Sequence, residues 1–217
     1  MKKIKIGALF MVTLVALILF TSTETATDQD RQIFKVVKIK TQIWMSENLN
    51  ISTYRNGDSI PEVKNPAEWS KLATGAWCYY ENNSENSAKY GKLYNWYAVN
   101  DSRGLAPAGF HVPSDDEWTQ LVDNLGGYGS GAKIKAKSGW KQNKQASNAT
   151  GFSGLPGGYR YSVGPFLYIG NNGCFWSSTP SNKKNKAWGR TLGANFDDLG
   201  RDDGSEASGL SVRCVRD

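Results

Sequence analysis

Val112-Pro113-Ser114-Asp115-Asp116-Glu117-Trp118-Thr119-Gln120-Leu121-Val122-Asp123-Asn124-Leu125-Gly126-Gly127 is the stretch that several independent signals all read as helix. Ser114 and Glu117 form an S-x-x-E capping box: the hydroxyl accepts the backbone N–H three residues on, and the carboxylate reaches back to the cap. Asp115 and Asp116 add negative charge at the positive end of the helix dipole. Trp118, Leu121, Val122 and Leu125 repeat at helical spacing and make one apolar stripe. Gly126-Gly127 supplies a left-handed stop. The spacing predicts a helix over about residues 115–125.

Outward from this helix the texture is shorter and more strand-like. Upstream, Phe34, Val36, Ile39 and Ile43 sit among polar neighbours, as in two strands turning near Lys40-Thr41 or one long bent strand. Asn65 can cap a short helix with Pro66 at its first position. Ala76 to Tyr80 reads as an aromatic-rich strand. Lys92 to Asn100 fits a short buried helix or a strand, since Tyr94, Trp96 and Ala98 alternate. Downstream, Gly and Ser become frequent and aromatic residues are separated by turns. Short strands are expected at Ala187–Leu192, near Phe196–Leu199 and at Gly209–Val215. In the last of these, Ser211 and Arg213 face one way and Leu210, Val212 and Cys214 the other. The expected class is α+β: short helices, a small antiparallel sheet and long loops.

The chain has 217 residues, with 26 Lys+Arg, 20 Asp+Glu, one His and three Cys. One histidine excludes a multi-His metal centre, and three cysteines exclude a four-cysteine zinc site. A hydrophobic fraction of 39% with 12% aromatic residues excludes a mainly disordered chain. Lys2, Lys3 and Lys5 precede an apolar run from Ile6 to Phe20, and small polar residues follow to Thr27. This is the layout of a secretory signal. The run is shorter than the roughly 20 residues of a spanning helix, so an uncleaved anchor is the alternative and no stable membrane span is expected after cleavage. The division expected is a signal peptide over 1–26 and one domain over 27–217, with the cut near Thr21–Thr23 or Ala26. Cleavage at the latter removes three lysines and one glutamate, so that +6 becomes +4. That mild charge calls for no nucleic acid partner. The expected location is secreted: the periplasm or the outer cell surface.

Six motifs occur in order: Trp44-Met45-Ser46-Glu47-Asn48-Leu49, Tyr90-Gly91-Lys92-Leu93-Tyr94-Asn95-Trp96-Tyr97-Ala98, Gly109-Phe110-His111-Val112-Pro113-Ser114, Leu155-Pro156-Gly157-Gly158-Tyr159-Arg160, Phe175-Trp176-Ser177-Ser178-Thr179 and Ser211-Val212-Arg213-Cys214-Val215-Arg216-Asp217. Together they resemble the Fibrobacter succinogenes major paralogous domain, over roughly residues 32–217. Lys40 departs from the pattern, where the family's motif has a turn glycine. That family is distantly similar to the formylglycine-generating enzymes. Val112–Trp118 resembles their helix start and Val212-Arg213-Cys214 their closing strand. The resemblance implies a C-type lectin-like fold. It implies bacterial secreted or surface-associated relatives, without a general activity, because a fold is not a mechanism.

Catalytic sets are sparse. The related oxidases hold copper with cysteines near the domain's end, and no cysteine pair lies at a matching motif here; Cys174 and Cys214 are the only ones in the second half. In an oxidising compartment Cys78 and Cys214 are expected to form a disulfide, with Cys174 left over; spacing alone leaves three single-bridge pairings open. His111, just before the capped helix, reads as a positioned structural residue, with general base as the alternative. No serine sits in a G-x-S-x-G elbow. Gly126–Gly131 reads as a helix stop and loop, since it follows a helix and lacks a G-K-[ST] end. Asp197, Asp198, Asp202, Asp203 and Glu206 read as a solvated hairpin tip, with opportunistic calcium as the alternative; no metal or other cofactor is otherwise expected. Most of the eight Trp are expected in the core. Tyr159, Tyr161, Tyr168 and Trp188, in Gly- or Lys-bordered segments, are the candidates for an exposed recognition surface, with Arg160 and Arg190 adding bidentate contacts.

The expectation is therefore a secreted or cell-surface, non-enzymatic binding module for a glycan or a surface protein. The alternatives are a diverged secreted enzyme of the copper-oxidase type and a purely structural surface protein.

Overall fold

The computed structural model describes residues 25–27, 33–142 and 146–217. The basic start and apolar run read as a signal lie outside the described residues. Among the described residues no helix is long and apolar enough to cross a membrane.

The chain starts with β1 (Thr25–Thr27), β2 (Ile33–Ile39) and β3 (Gln42–Met45), each antiparallel to the next. Ile39 faces Gln42 across a two-residue turn, so the expected hairpin forms, and Lys40 takes φ 56° to close it. That left-handed conformation explains why the family motif carries glycine there. Asn65 caps α1 (Pro66–Trp69), accepting from the N–H groups of Ala67 and Glu68. β4 (Trp77–Cys78), α2 (Ser87–Tyr90), β5 (Leu93–Tyr94) and α3 (Trp96–Val99) follow. The ambiguous stretch 92–100 is thus both strand and helix. Asn95 sits at the break: its Oδ1 accepts from Ala76 and Ala98, and its Nδ2 donates to Thr74.

β6 (Phe110–His111) leads into α4 (Asp115–Asn124), whose Ser114/Glu117 capping box is present as expected. Gly126 and Gly127 end it at φ +103° and +87°. The second half contains β7 (Tyr159–Arg160), β8 (Phe166–Leu167), β9 (Asn172–Pro180), β10 (Lys186–Gly193), β11 (Phe196–Ser205) and β12 (Val215–Arg216). One sheet runs β1-β2-β3-β12-β6, a second β11-β10-β9, and β4-β5 and β7-β8 are two-stranded. The molecule is α+β, with small antiparallel sheets and few short helices.

Two expectations about strands change. The Asp-rich segment is no hairpin tip; it lies within β11, the partner of β10 from Lys186↔Ser205 to Leu192↔Leu199. Residues 209–214 form single bridges instead of a continuous strand: Gly209 to Arg160, Leu210 to Tyr94, Ser211 to Phe175. The expected alternation still holds. Leu210, Val212 and Cys214 enter the largest apolar cluster, while Asn48 bonds both Ser211 and Arg213 on the other side.

A second cluster is built on rings: Trp118 of α4 lies 4.7 Å from Trp44 and 5.8 Å from Phe175. Seven of the eight Trp are buried. Five of these indole N–H groups find carbonyls: Trp69 donates to Ala207, Trp77 to Ile60, Trp96 to Ser177, Trp118 to Trp176 and Trp176 to Tyr94, while those of Trp44 and Trp140 are buried without a partner among the described residues.

The expected Cys78–Cys214 disulfide is not formed. Cys78, Cys174 and Cys214 are all free and buried. Cys78 belongs to the cluster around Trp69 and Leu93, and Cys174 and Cys214 to the one around Met45 and Val212, so Cys78 and Cys214 sit in separate cores. Burial pushes each of the three thiols up to about 12, as for small apolar side chains in a core.

Candidate functional site

Small residues pair across β10 and β11: Ala187 with Gly204, Gly189 with Asp202, Thr191 with Gly200. On a strand face this pattern leaves a trough, since every second position carries little side chain. Cys174 and Trp176 of β9 extend its floor. Tyr159, Tyr161, Ser162, Ser205, Ser208 and Leu210 complete its lining. The groove holds about 340 Å³, within the range of small-molecule sites at roughly 300–1,000 Å³. Gly204 is what lets Trp176 in: a Cβ there would lie 3.3 Å from the indole edge.

Five polar groups of this groove are unspent. Among the described residues, the hydroxyls of Tyr159, Tyr161, Ser162 and Ser208 and the carboxylate of Asp202 have no hydrogen-bond partner. Ser208 is only 5% exposed, so its hydroxyl has only the groove to turn to. Burial raises the Tyr159 pKa, so this hydroxyl keeps its proton as a donor. Thr191 donates to the Cys174 sulfur at 3.9 Å. Cys174 stays a neutral thiol: burial raises it most, the Thr191 bond lowers it and Asp202 raises it again.

The six residues expected at an exposed surface divide into two groups. Tyr159 and Tyr161 line the groove, and Tyr168 packs on Tyr159 with ring centroids 5.9 Å apart. Tyr161 is 46% and Tyr168 52% exposed. The arginines are corrections. Arg160 is fully buried; its Nε donates to Gly164, and its Nη atoms donate to Val63 and Lys64, over the Trp69 ring at 4.3 Å. Arg190 borders the groove but is buried, with its Nη2 held by Asp115 Oδ1 at 2.6 Å and by Thr119. Trp188 is half-buried beneath Arg201, whose guanidinium lies 3.4 Å from its ring centre and pairs with Asp115. Arginine is rarely buried whole; carbonyls in irregular segments drew Arg160 inward, and the carboxylate and hydroxyl at the start of α4 drew Arg190. Ser162, Ser205, Ser208 and Thr191 were missed as groove residues. The small-residue alternation of β10 and β11 was the signal that could have found them.

The acidic residues of β11 are dispersed by pairing. Lys183 and Lys186 hold Asp203 at 2.8 and 2.7 Å, and Lys135 holds Asp197 at 3.3 Å. Among the described residues no three of His, Cys, Asp and Glu are grouped to hold a metal ion.

His111 is bracketed: its Nδ1 is 2.7 Å from Asp217 and its Nε2 2.7 Å from Glu117. Glu117 also accepts from the Ser114 N–H and hydroxyl. Burial alone would lower the histidine pKa, but the bonds to Asp217 and Glu117 raise it overall. The ring ties β6 to the end of the chain and to the start of α4, with both its nitrogens occupied.

Neither the curated proteins nor the solved structures include a match to this chain. A family model does match, over residues 37–216, and it covers the first five motifs whole and the sixth up to Arg216, including Arg160 and Arg213 and the start of the groove's tyrosine wall. The chain belongs to the Fibrobacter succinogenes major domain family.

Proposed function

We propose that this chain is an exported, non-catalytic binding module of C-type lectin-like architecture, and that the groove beside β9, β10 and β11 takes one or two rings of a glycan. One observation carries the reading: a concave site where four unspent hydroxyls and one carboxylate converge beside an exposed tyrosine face. Sugars need that combination, since their hydroxyls require partners and their apolar faces stack on rings. The protonated thiols of Cys174 and Cys214 support a role outside thiolate chemistry. The basic start and apolar run of the first twenty residues support export.

The test is a glycan array with purified protein and with Tyr161→Ala and Ser208→Ala. Binding to a defined set of glycans that both substitutions weaken is the expected outcome. A folded protein that binds no glycan, or binds equally well after both substitutions, sinks the reading. Metal analysis of the same preparation addresses the oxidase-type alternative; stoichiometric copper would favour it. A purely structural role is the second reading, favoured by the burial of seven of the eight Trp. Blank arrays together with blank pull-downs against surface proteins would support it.

A further inference from the structure

Resting on the glycan reading of this groove, we propose that it selects sugars carrying a free amine, with Asp202 as the residue that chooses charge. The cations that border the groove are already paired. Lys186 reaches Asp203 at 2.7 Å, where Lys183 joins it at 2.8 Å, and Arg190 is held by Asp115 at 2.6 Å. Among the described residues, Asp202 is the lining charge with no ion-pair partner. It lines the groove opposite Gly189, its pairing partner on β10, where no side chain stands between the carboxylate and the trough. Its negative charge is felt within the groove, where it acts on the Cys174 thiol.

A neutral ring laid over Asp202 would strip water from a carboxylate and return nothing for it, which is unfavourable. An acidic sugar would meet repulsion from Asp202, offset only by the charge left over where Lys183 and Lys186 share Asp203 and Arg190 and Arg201 share Asp115. An ammonium group supplies the missing counter-charge, and the Tyr159 and Tyr161 rings beside it attract the same cation through their faces. The chemistry of the lining therefore discriminates between otherwise similar amino sugars by whether the nitrogen is free or acylated.

The experiment is calorimetric titration of the purified protein at about pH 5.5 with three probes: a β-1,4-linked glucosamine tetramer, its fully N-acetylated counterpart and the glucose tetramer. The expected result is roughly tenfold tighter binding of the amine form than of either other probe, from one ion pair and one cation–ring contact. The preference is expected to vanish in Asp202→Asn and to shrink with added salt. Equal or tighter binding of the acetylated or neutral tetramer overturns the inference while leaving the glycan reading in place. An amine preference that survives Asp202→Asn also overturns it, by showing attraction elsewhere on the surface. If none of the three probes binds and the array is also blank, the underlying reading fails and this inference with it; if the array is positive but the amine tetramer does not bind, the inference alone fails. Thermal melting of Asp202→Asn checks that the variant is folded, and Tyr161→Ala, expected to weaken all probes, reports on the same groove independently.

Discussion

Replacing Arg213 by methionine removes five donors from the centre of the molecule while keeping an apolar stem of similar length. Arg213 is wholly buried and faces no carboxylate. Its Nη1 donates to the carbonyls of Met45 and Phe152, and its Nε and Nη2 donate to Asn48 Oδ1 at 3.2 and 2.6 Å; Ser153 adds a longer contact at 3.5 Å. The guanidinium also lies 4.4 Å over the Phe152 ring. Burial pushes its pKa down to about 9, still high enough to stay charged at neutral pH. The substitution orphans three well-made acceptors where water cannot reach, at about 1–3 kcal/mol each. Removing a desolvated cation returns part of that. A net loss of about 3–4 kcal/mol follows, a large share of the roughly 5–15 kcal/mol that holds a domain folded. With a urea m-value of about 2 kcal/mol/M, the midpoint falls by about 1.5–2 M. Urea unfolding followed by tryptophan fluorescence measures this directly, since seven of the eight indoles are buried. Arg213→Lys, which keeps the charge but only three donors, should fall between. A midpoint drop below about 0.5 M for Arg213→Met, about 1 kcal/mol at the same m-value, would refute the claim that this cation clamps the core.

Lys40→Gly should raise stability by about 0.5 kcal/mol, because removing left-handed strain at φ 56° outweighs the added chain entropy; a lowered urea midpoint would contradict it. His111 gives a pH signature. Its pKa is raised in the folded state, so the native protein holds the proton more tightly than the unfolded chain. Its contribution is complete below about 6.5 and is lost as pH rises through the higher native value. A urea-midpoint series across this window should slope downward, and His111→Gln should flatten it. The cysteines should titrate as three free thiols in denaturant and stay unreactive in the folded protein, with reduced and non-reduced masses identical; a mass difference would restore the disulfide.

The elements legible in the sequence were those set by local chemistry. Ser114 and Glu117 fix the start of α4 within one turn, and Asn65-Pro66 fixes α1 in the same way. The turn at Lys40 was legible because the apolar alternation changes there. The stretch 92–100 looked ambiguous because it is two elements joined at Asn95, whose side chain takes over bonds that neither element supplies. Only the start of β11, near Phe196–Leu199, was legible; its second half escaped because Asp202 and Asp203 read as a solvated tip, whereas Lys183 and Lys186 hold Asp203 from β10 and the turn before it. At the groove, Tyr159 and Tyr161 were legible as aromatic residues in open surroundings. Arg160 and Arg190 were misread as surface groups because their partners lie about 96 and 75 residues away in sequence.

Buried arginines also explain how so irregular a chain keeps most of its interior carbonyls satisfied. Regular ladders cover few of its carbonyls, and long-range cations cover others: Arg160 joins Gly164 to Val63 and Lys64, and Arg213 joins Met45 and Asn48 to Phe152. The buried guanidinium groups thus spend most of their donors inside, Arg190 Nε being the exception, while among the described residues Tyr159, Tyr161, Ser162, Ser208 and Asp202 keep polar groups unpaired in the groove. That division predicts a separation of effects. Tyr161→Ala and Asp202→Asn should change unfolding free energy by no more than about 0.5 kcal/mol, as surface substitutions do. Ser208→Ala goes further, because it deletes a nearly buried hydroxyl that has no partner within the protein; it should leave stability unchanged or raise it by up to about 1 kcal/mol. If Ser208→Ala instead destabilises the fold by more than that, the hydroxyl is part of the scaffold. The unspent polar groups of the groove would then be structural, and their convergence would no longer argue for a ligand.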